Sequence, residues 1–344
     1  MPAAAGRVAA AKAAAVVVIR APNWLGDTVM AVPALAALRA AMPEARITVV
    51  GRWAPLLHAQ DVADVLVEYP RDRASRTGIA RALAADPADL ALLLVNSFEA
   101  ALAAWRWGAR RRIGFDTDAR RPLLTDAVPL PAQRRHQVDE YRLLVQSLGI
   151  EAPADTPRLR RVTDQRTEAE VAALLESVAM GRDARPVGLH LGASGGPAKQ
   201  WPAEAWAGLA DRLARAGRSA LLLGGPEDGE RACQTLGKAR SAPASLVGKD
   251  RPALLPHLLS RLACLVSGDT GVAHLAAALG VPTVTLFGPT DPRLTAPRGA
   301  AGRTLIGPAP CAPCFLAACP IEHVCLRAIA PEAVEAMVRE PARA

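Results

Sequence analysis

The sequence is short of aromatic residues: four Phe, six Trp and two Tyr in 344 residues, 3% in all. A surface that stacks nucleic-acid bases needs more of them, and no RRM, KH or helix-turn-helix signature stands in their place. Cysteine is also scarce. Six in a chain of this length exclude a disulfide scaffold. The longest apolar run near the start, Ala13 to Ile19, is far below the roughly 20 residues a membrane span needs. Arg7 and Lys12 precede that run, but it leads into Arg20 without a plausible cleavage site, so it reads as a first buried strand and the protein as cytoplasmic. Neither G-x-G-x-x-G nor the Walker spacing occurs at the candidate loops.

What is present is aliphatic. Hydrophobic residues make up 51% and charged residues 22%, enough for two ordinary cores and too apolar for a disordered chain. The net charge of +8 points to an anionic partner: nucleic acid, a membrane face or a charged substrate.

Short aliphatic runs alternate with Ala-rich helical stretches. Val16–Arg20, Ile47–Gly51 and Leu90–Asn96 read as strands buried on both faces. Val29–Ala41, Trp53–Gln60 and Arg76–Ala85 read as helices, the first kinked or split by Pro33. Residues 116–165, rich in proline and arginine, interrupt the alternation and end in the inter-domain connection. A helix over Thr167–Val178 follows, with Thr167 and Glu170 spaced as a capping box. The alternation then resumes: strands Val187–Leu191, Ser219–Leu223, Cys264–Ser267 and Thr283–Phe287, with helices Ala203–Ala216, Glu227–Ala239, Pro252–Leu262 and Val272–Leu279, and a last helix Pro331–Arg339. The expected class is α/β: two Rossmann-like, doubly wound domains facing each other across a cleft, over residues 1–165 and 166–330, with a C-terminal helix and tail over 331–344. Ligands bind beyond the carboxyl ends of the strands in such sheets.

Four loops stand at those ends. Asn23-Trp24-Leu25-Gly26-Asp27-Thr28 follows the first strand, and Asp27 suits either a helix cap or a general base. His190 to Pro202 holds Gly192, Ser194, Gly195, Gly196 and Lys199, which suit an anion cradle or a plain flexible loop. Ser267-Gly268-Asp269-Thr270-Gly271 opens a helix whose N–H groups and dipole favour phosphate, with His274 one turn in. Gly224-Gly225-Pro226-Glu227-Asp228 offers, at Glu227, a carboxylate for helix-dipole compensation or for a ribose. Together they fit a nucleotide-sugar donor on the second domain and a carboxylate on the first.

These motifs, in order, resemble those of the ADP-heptose–lipopolysaccharide heptosyltransferases, glycosyltransferase family 9, which have the GT-B fold. The matching residues are Trp24-Leu25-Gly26-Asp27 with Met30 and Pro33, Gly192-Ala193 with Gly196 to Pro202, Asp269-Thr270-Gly271 with His274, and Gly288-Pro289-Thr290. The Cys311 to Cys325 segment is similar to a feature of the second heptosyltransferases, whereas Ser194 replaces their frequent Glu. The resemblance implies that Asp27 is the base of an inverting transfer from ADP-heptose to the lipopolysaccharide inner core. It implies that Lys199 stands near the donor diphosphate, aiding departure of ADP. Gly192, Ser194, Glu227, Asp269, Thr270, Gly271 and His274 would complete the donor site. No cofactor is then required, the protein works at the inner face of the cytoplasmic membrane, and nucleic acid is not a partner. Another GT-B enzyme, such as an epimerase, and a basic nucleic-acid-binding protein are the competing readings.

Two further expectations concern the surface and one loop. Residues 101–161 hold twelve arginines against seven acidic residues. Arg110, Arg111 and Arg112, running into a strand-like segment that ends at Phe115, are assigned to the anionic acceptor. Cys311, Cys314, Cys319 and Cys325 lie within fifteen residues, in a proline-rich loop. They suit a structural zinc or iron–sulfur cluster, or four reduced thiols that pack the loop.

Overall fold

The computed structural model describes residues 15–162, 164–193, 195–249 and 251–339. The chain divides into two compact units after Pro157, a little upstream of the boundary expected from sequence, and the final helix belongs to the second unit.

The first unit is a six-stranded parallel sheet of β1 (Val16–Arg20), β2 (Arg46–Gly51), β3 (Val65–Glu68), β4 (Leu90–Leu93), β5 (Arg111–Phe115) and β6 (Asp126–Val128), in the order β3-β2-β1-β4-β5-β6. Its helices are α1 (Leu25–Ala41), α2 (Arg73–Ala85), α3 (Phe98–Arg106) and α4 (Gln137–Gln146). The central strands are buried on both faces, which is why they read as unbroken aliphatic runs. Pro33 neither splits nor ends α1, which continues through it for 17 residues. Trp53–Gln60 is not a helix of that length: only a 3-10 turn forms, over Ala54–Leu57. Residues 116–165 are less irregular than their prolines suggest, since β6 and α4 both lie within them.

The second unit repeats the plan. Strands β7 (Val187–His190), β8 (Ala220–Leu223), β9 (Ala244–Ser245), β10 (Cys264–Gly268), β11 (Thr283–Phe287) and β12 (Gly302–Ile306) are parallel, in the order β12-β11-β10-β7-β8-β9. Numbered within the unit, this is the order of the first sheet read from the other side. Each sheet therefore winds one way from its first strand and the other way from its fourth, and has one switch point, at β1/β4 and at β7/β10. Helices α5 (Gln165–Glu176), α6 (Ala203–Arg215), α7 (Gly229–Lys238), α8 (Leu255–Ser260), α9 (Gly271–Ala278), α10 (Pro292–Thr295), α11 (Val324–Arg327) and α12 (Pro331–Arg339) belong to this unit. The cap of α5 is Asp164, which accepts from the backbone N–H groups of Arg166 and Thr167, so the expected Thr167/Glu170 box is displaced by a better acceptor upstream. Helix α8 starts at Leu255, so Pro252 lies outside it.

Trp201 and Trp206 meet edge to face in the second core, ring centres 4.8 Å apart. The Trp201 indole Nε1–H is shared by the carbonyls of Leu326 and Ile329, at 3.1 and 3.2 Å. One buried ring thus fastens the C-terminal segment beneath the turn that carries Lys199. Trp201→Phe keeps most of the ring but leaves both carbonyls without that donor. We expect it to lower the unfolding free energy of this unit by about 2–4 kcal/mol, read from urea denaturation.

Candidate functional site

In the second unit the site grows from the switch point. The first-strand loop leaves β7 and the fourth-strand loop leaves β10, and Lys199 joins them. Its Nζ donates to Asp269 Oδ2 at 2.8 Å and to the Asp269 carbonyl at 3.3 Å. Lys199 closes a 3-10 turn, Pro197–Lys199, and Asp269 is buried. Thr270 is the N-cap residue of α9, although its side chain caps nothing; its hydroxyl lies 2.8 Å from that of Ser267. Gly271 begins the helix, whose first N–H groups have no intrahelical acceptors. His274 is buried within α9. Lys199, Asp269, Thr270 and Gly271 are thus brought together at one sheet edge.

Beneath them lies His190, the last residue of β7, whose Nδ1 is 3.4 Å from Ser267 Oγ. Burial pushes its pKa down to about 4, so it stays neutral at physiological pH. Gly192 has a packing reason to be glycine. A Cβ there would stand 2.7 Å from His190 Cε1 and 3.0 Å from Asp228 Oδ2. Gly224, at φ +158°, presses on the same carboxylate. Asp228 is the buried acid of this loop and accepts from the Gly225 N–H at 3.0 Å; burial raises its pKa. Glu227, the residue singled out from sequence, is exposed, in the 3-10 turn Pro226–Asp228 that precedes α7. Ser194 lies outside the described residues.

The cysteine-rich loop braces the Lys199 turn. The Ala317 carbonyl accepts from the Ala198 N–H at 3.0 Å, and His323 Nε2 is 2.9 Å from the Pro197 carbonyl. At Gly196, φ +125°, a Cβ would stand 2.3 Å from the Ala317 oxygen, so only glycine permits this approach. Cys311, Cys314, Cys319 and Cys325 are all free thiols, from exposed Cys311 to buried Cys325. Burial raises the Cys325 pKa, with smaller contributions from Cys311 and Cys319. Among the described residues no group of three or more His, Cys, Asp or Glu is arranged to hold a metal ion.

In the first unit Asp27 lies in the first turn of α1, past the carboxyl end of β1, where the helix dipole favours a negative charge. It is not the cap: Trp24 occupies that position. Asp27 Oδ1 accepts from the phenol of Tyr141, on α4, at 3.2 Å. Arg20, the last residue of β1, is fully buried, donates to Asn23 Oδ1 at 2.8 Å, and covers the Tyr69 ring at 4.1 Å. Arg120 is fully buried too and donates to the carbonyls of Phe115 and Val95 and to Asn96 Oδ1, binding together the segments that follow β4 and β5.

Arg110, Arg111 and Arg112 are not brought to Asp27. They stand at the start of β5, the amino-terminal edge of the sheet, where Arg111 pairs with Leu90. Arg110 and Arg111 pair with Asp89 and Asp126 at 3.0 and 3.2 Å, and Arg112 donates to the Leu123 and Ala109 carbonyls at 2.7 and 2.6 Å. Strand direction therefore sets the three arginines assigned to the acceptor at the edge opposite the loop of Asp27, since a charge run says nothing about which sheet edge it occupies. Asp116-Thr117-Asp118, just past β5, also escaped the sequence reading. Both carboxylates are engaged structurally, Asp116 with Arg121 at 2.6 Å and Asp118 with the Phe98 N–H at 2.5 Å.

The family description "Glycosyltransferase family 9 (heptosyltransferase)" matches residues 76–325. Lipopolysaccharide heptosyltransferase 2 of Salmonella typhimurium is 29% identical over 290 residues, covering 80% of this chain and 83% of that one. Lipooligosaccharide heptosyltransferase 2 of Haemophilus ducreyi is 30% identical over 309 residues, covering 82% and 85%. The solved structure of Escherichia coli ADP-heptose lipopolysaccharide heptosyltransferase II superposes with a TM-score of 0.78 at 26% identity, covering 94% of this chain and 97% of that one. The two Rossmann-like units, the loops at their switch points and these likenesses agree: the chain is a glycosyltransferase and belongs to glycosyltransferase family 9, the heptosyltransferases.

Proposed function

We propose that this enzyme moves L-glycero-D-manno-heptose from ADP-heptose to the inner core of lipopolysaccharide, with inversion, as a heptosyltransferase II. The observation that carries the reading is the Lys199–Asp269 pair beside the start of α9, a cation and a helix N-terminus at the switch point of one sheet. The names of the relatives supply the heptose and the lipopolysaccharide.

In this mechanism Asp27 takes the proton of the acceptor hydroxyl as its oxygen attacks the anomeric carbon. The bond from that carbon to the diphosphate oxygen breaks, and its electron pair leaves with ADP. Lys199 and the N–H groups at Thr270–Gly271 meet the negative charge that grows on the leaving group. Gly192 and its loop approach the diphosphate, while Glu227 or the neighbouring Asp228 faces the nucleoside. His190 and His274, both buried, serve the site from below.

A lipid-linked acceptor places the enzyme on the inner face of the membrane. Phe98 and Trp105, about two turns apart on α3 and 45% and 55% exposed, support this, with Arg106 beside Trp105. Among the described residues no helix is long and apolar enough to cross a membrane.

Asp27→Asn should lower kcat by about 10²–10⁴-fold with ADP affinity unchanged, measured with ADP-heptose and a defined truncated lipopolysaccharide acceptor. Turnover within about tenfold of wild type would remove Asp27 from the role. Lys199→Met should lower kcat by about 10²–10³-fold through weaker charge stabilisation.

A structural zinc or iron–sulfur cluster on Cys311, Cys314, Cys319 and Cys325 requires thiols gathered into a set that they do not form here. The loop braces Lys199 through backbone contacts instead. Tag-free protein purified under reducing conditions should hold less than about a tenth of an equivalent of zinc or iron and be unchanged by chelation. Stoichiometric metal, with stability lost on its removal, would establish the cluster.

A further inference from the structure

Tyr141 is one of only two tyrosines in the chain, and nothing in the motifs around Asp27 points to it. It lies on α4, which packs against α1. Val138, Tyr141, Leu144 and Val145 form the buried face of α4 at helical spacing. The ring is 3% exposed, yet its hydroxyl reaches the Asp27 carboxylate, 114 residues away in sequence. The helix that delivers it is firmly seated. His136 caps it, its Nδ1 accepting from the Val138 N–H at 3.3 Å. Glu140 is fully buried and held by Arg134 Nε and Nη2 at 2.6 and 2.9 Å and by the Arg135 N–H at 3.2 Å.

We propose that Tyr141 is the positioning residue of the catalytic base, its phenol fixing the orientation of the Asp27 carboxylate and holding it ionised. This rests on the reading of Asp27 as the base. The direction of the hydrogen bond is determined. Burial first, then the charge of Asp27, raises the phenol pKa well above its usual range, so the proton stays on the tyrosine and the carboxylate accepts. A hydrogen bond to the charged form favours that form, so the phenol lowers the pH at which Asp27 becomes a competent base. The groups bearing on the phenol are Asp27 from α1, and Gln137 and Glu140 from its own helix; Glu140 is the one already neutralised by Arg134. Like Asp27, Tyr141 belongs to the first unit.

The test is the pH dependence of kcat/KM with ADP-heptose and a defined truncated acceptor. Tyr141→Phe keeps the ring and removes the donor. We expect kcat to fall about tenfold, donor KM to stay put, and the acidic limb to move up by about one pH unit, with the circular dichroism of wild type. A role in packing alone would lower thermal stability and leave the limb unmoved; that result overturns the proposal. Fluorinated tyrosine gives a second measurement that does not depend on the variant folding. In a Tyr69→Phe background Tyr141 is the sole tyrosine, and 3-fluorotyrosine, a stronger donor of nearly the same shape, should move the limb down relative to the same variant made with ordinary tyrosine. A limb that does not respond overturns the proposal. Asp27→Asn is measured in parallel. If it is inactive, the base reading stands, and an unresponsive limb counts against Tyr141 alone. If it is active, both fall.

Discussion

Everything at the site of the second unit depends on one ion pair across a switch point. In a doubly wound parallel sheet, adjacent strands normally send their following loops to the same face. Where the winding reverses, the two loops part, and their backbones leave a gap at the carboxyl edge. Lys199 crosses that gap. Its ammonium meets the Asp269 carboxylate at 2.8 Å, coupling the loop after β7 to the loop after β10. A lone ammonium on a glycine-rich loop would be a mobile point charge. Tied to Asp269, it is held near the start of α9. The pairing also leaves Lys199 partly neutralised at rest.

The loop carrying Lys199 does not hold its own shape. Gly196 accepts the close approach of Ala317, Trp201 anchors the segment ending at Ile329, and His323 reaches the Pro197 carbonyl. The cysteine-rich loop is therefore a brace. A change in that loop can shift Lys199 through the contacts at Pro197 and Ala198.

The frame was legible in the sequence because its central strands are buried on both faces. Val16–Arg20 and Thr283–Phe287 form as read, and Val187–Leu191 and Leu90–Asn96 are shorter at the carboxyl end by one and three residues. The outer strands were not legible. Asp126–Val128 and Ala244–Ser245 are too short to show a period, and Gly302–Ile306 carries Arg303 and Thr304, as an edge strand can. The placing of Lys199 and the Asp269 loop at one sheet edge followed from the motifs, since both lie at ends of recognisable strands, but the ion pair between them did not. Tyr141 could not be found that way. Its partner is distant in sequence, and its helix lies in a segment whose prolines suggested irregular chain. Arg110–Arg112 show the opposite failure. The charge run was plain, but strand direction put it at the edge away from Asp27. Glu227 drew attention by type, while the neighbour it overshadowed, Asp228, is the one the fold buries.

The two units share a strand order but put different chemistry at the same topological position. At the first switch point the loop after β1 leads into a helix that carries its carboxylate in the first turn, where the dipole stabilises negative charge. At the second, the loop after β10 carries Asp269 just outside the helix, and Lys199 from the first-strand loop neutralises it. The same helix start can therefore favour an anionic base in one unit and an anionic ligand in the other. The difference is what occupies it. A side chain already fills the field of α1, and a phenol fixes that side chain in place. The start of α9 carries no acidic residue in its first turn, and its threonine cap makes no capping hydrogen bond. A carboxylate introduced at Gly271 would occupy the field that α9 leaves open, as Asp27 already does in α1.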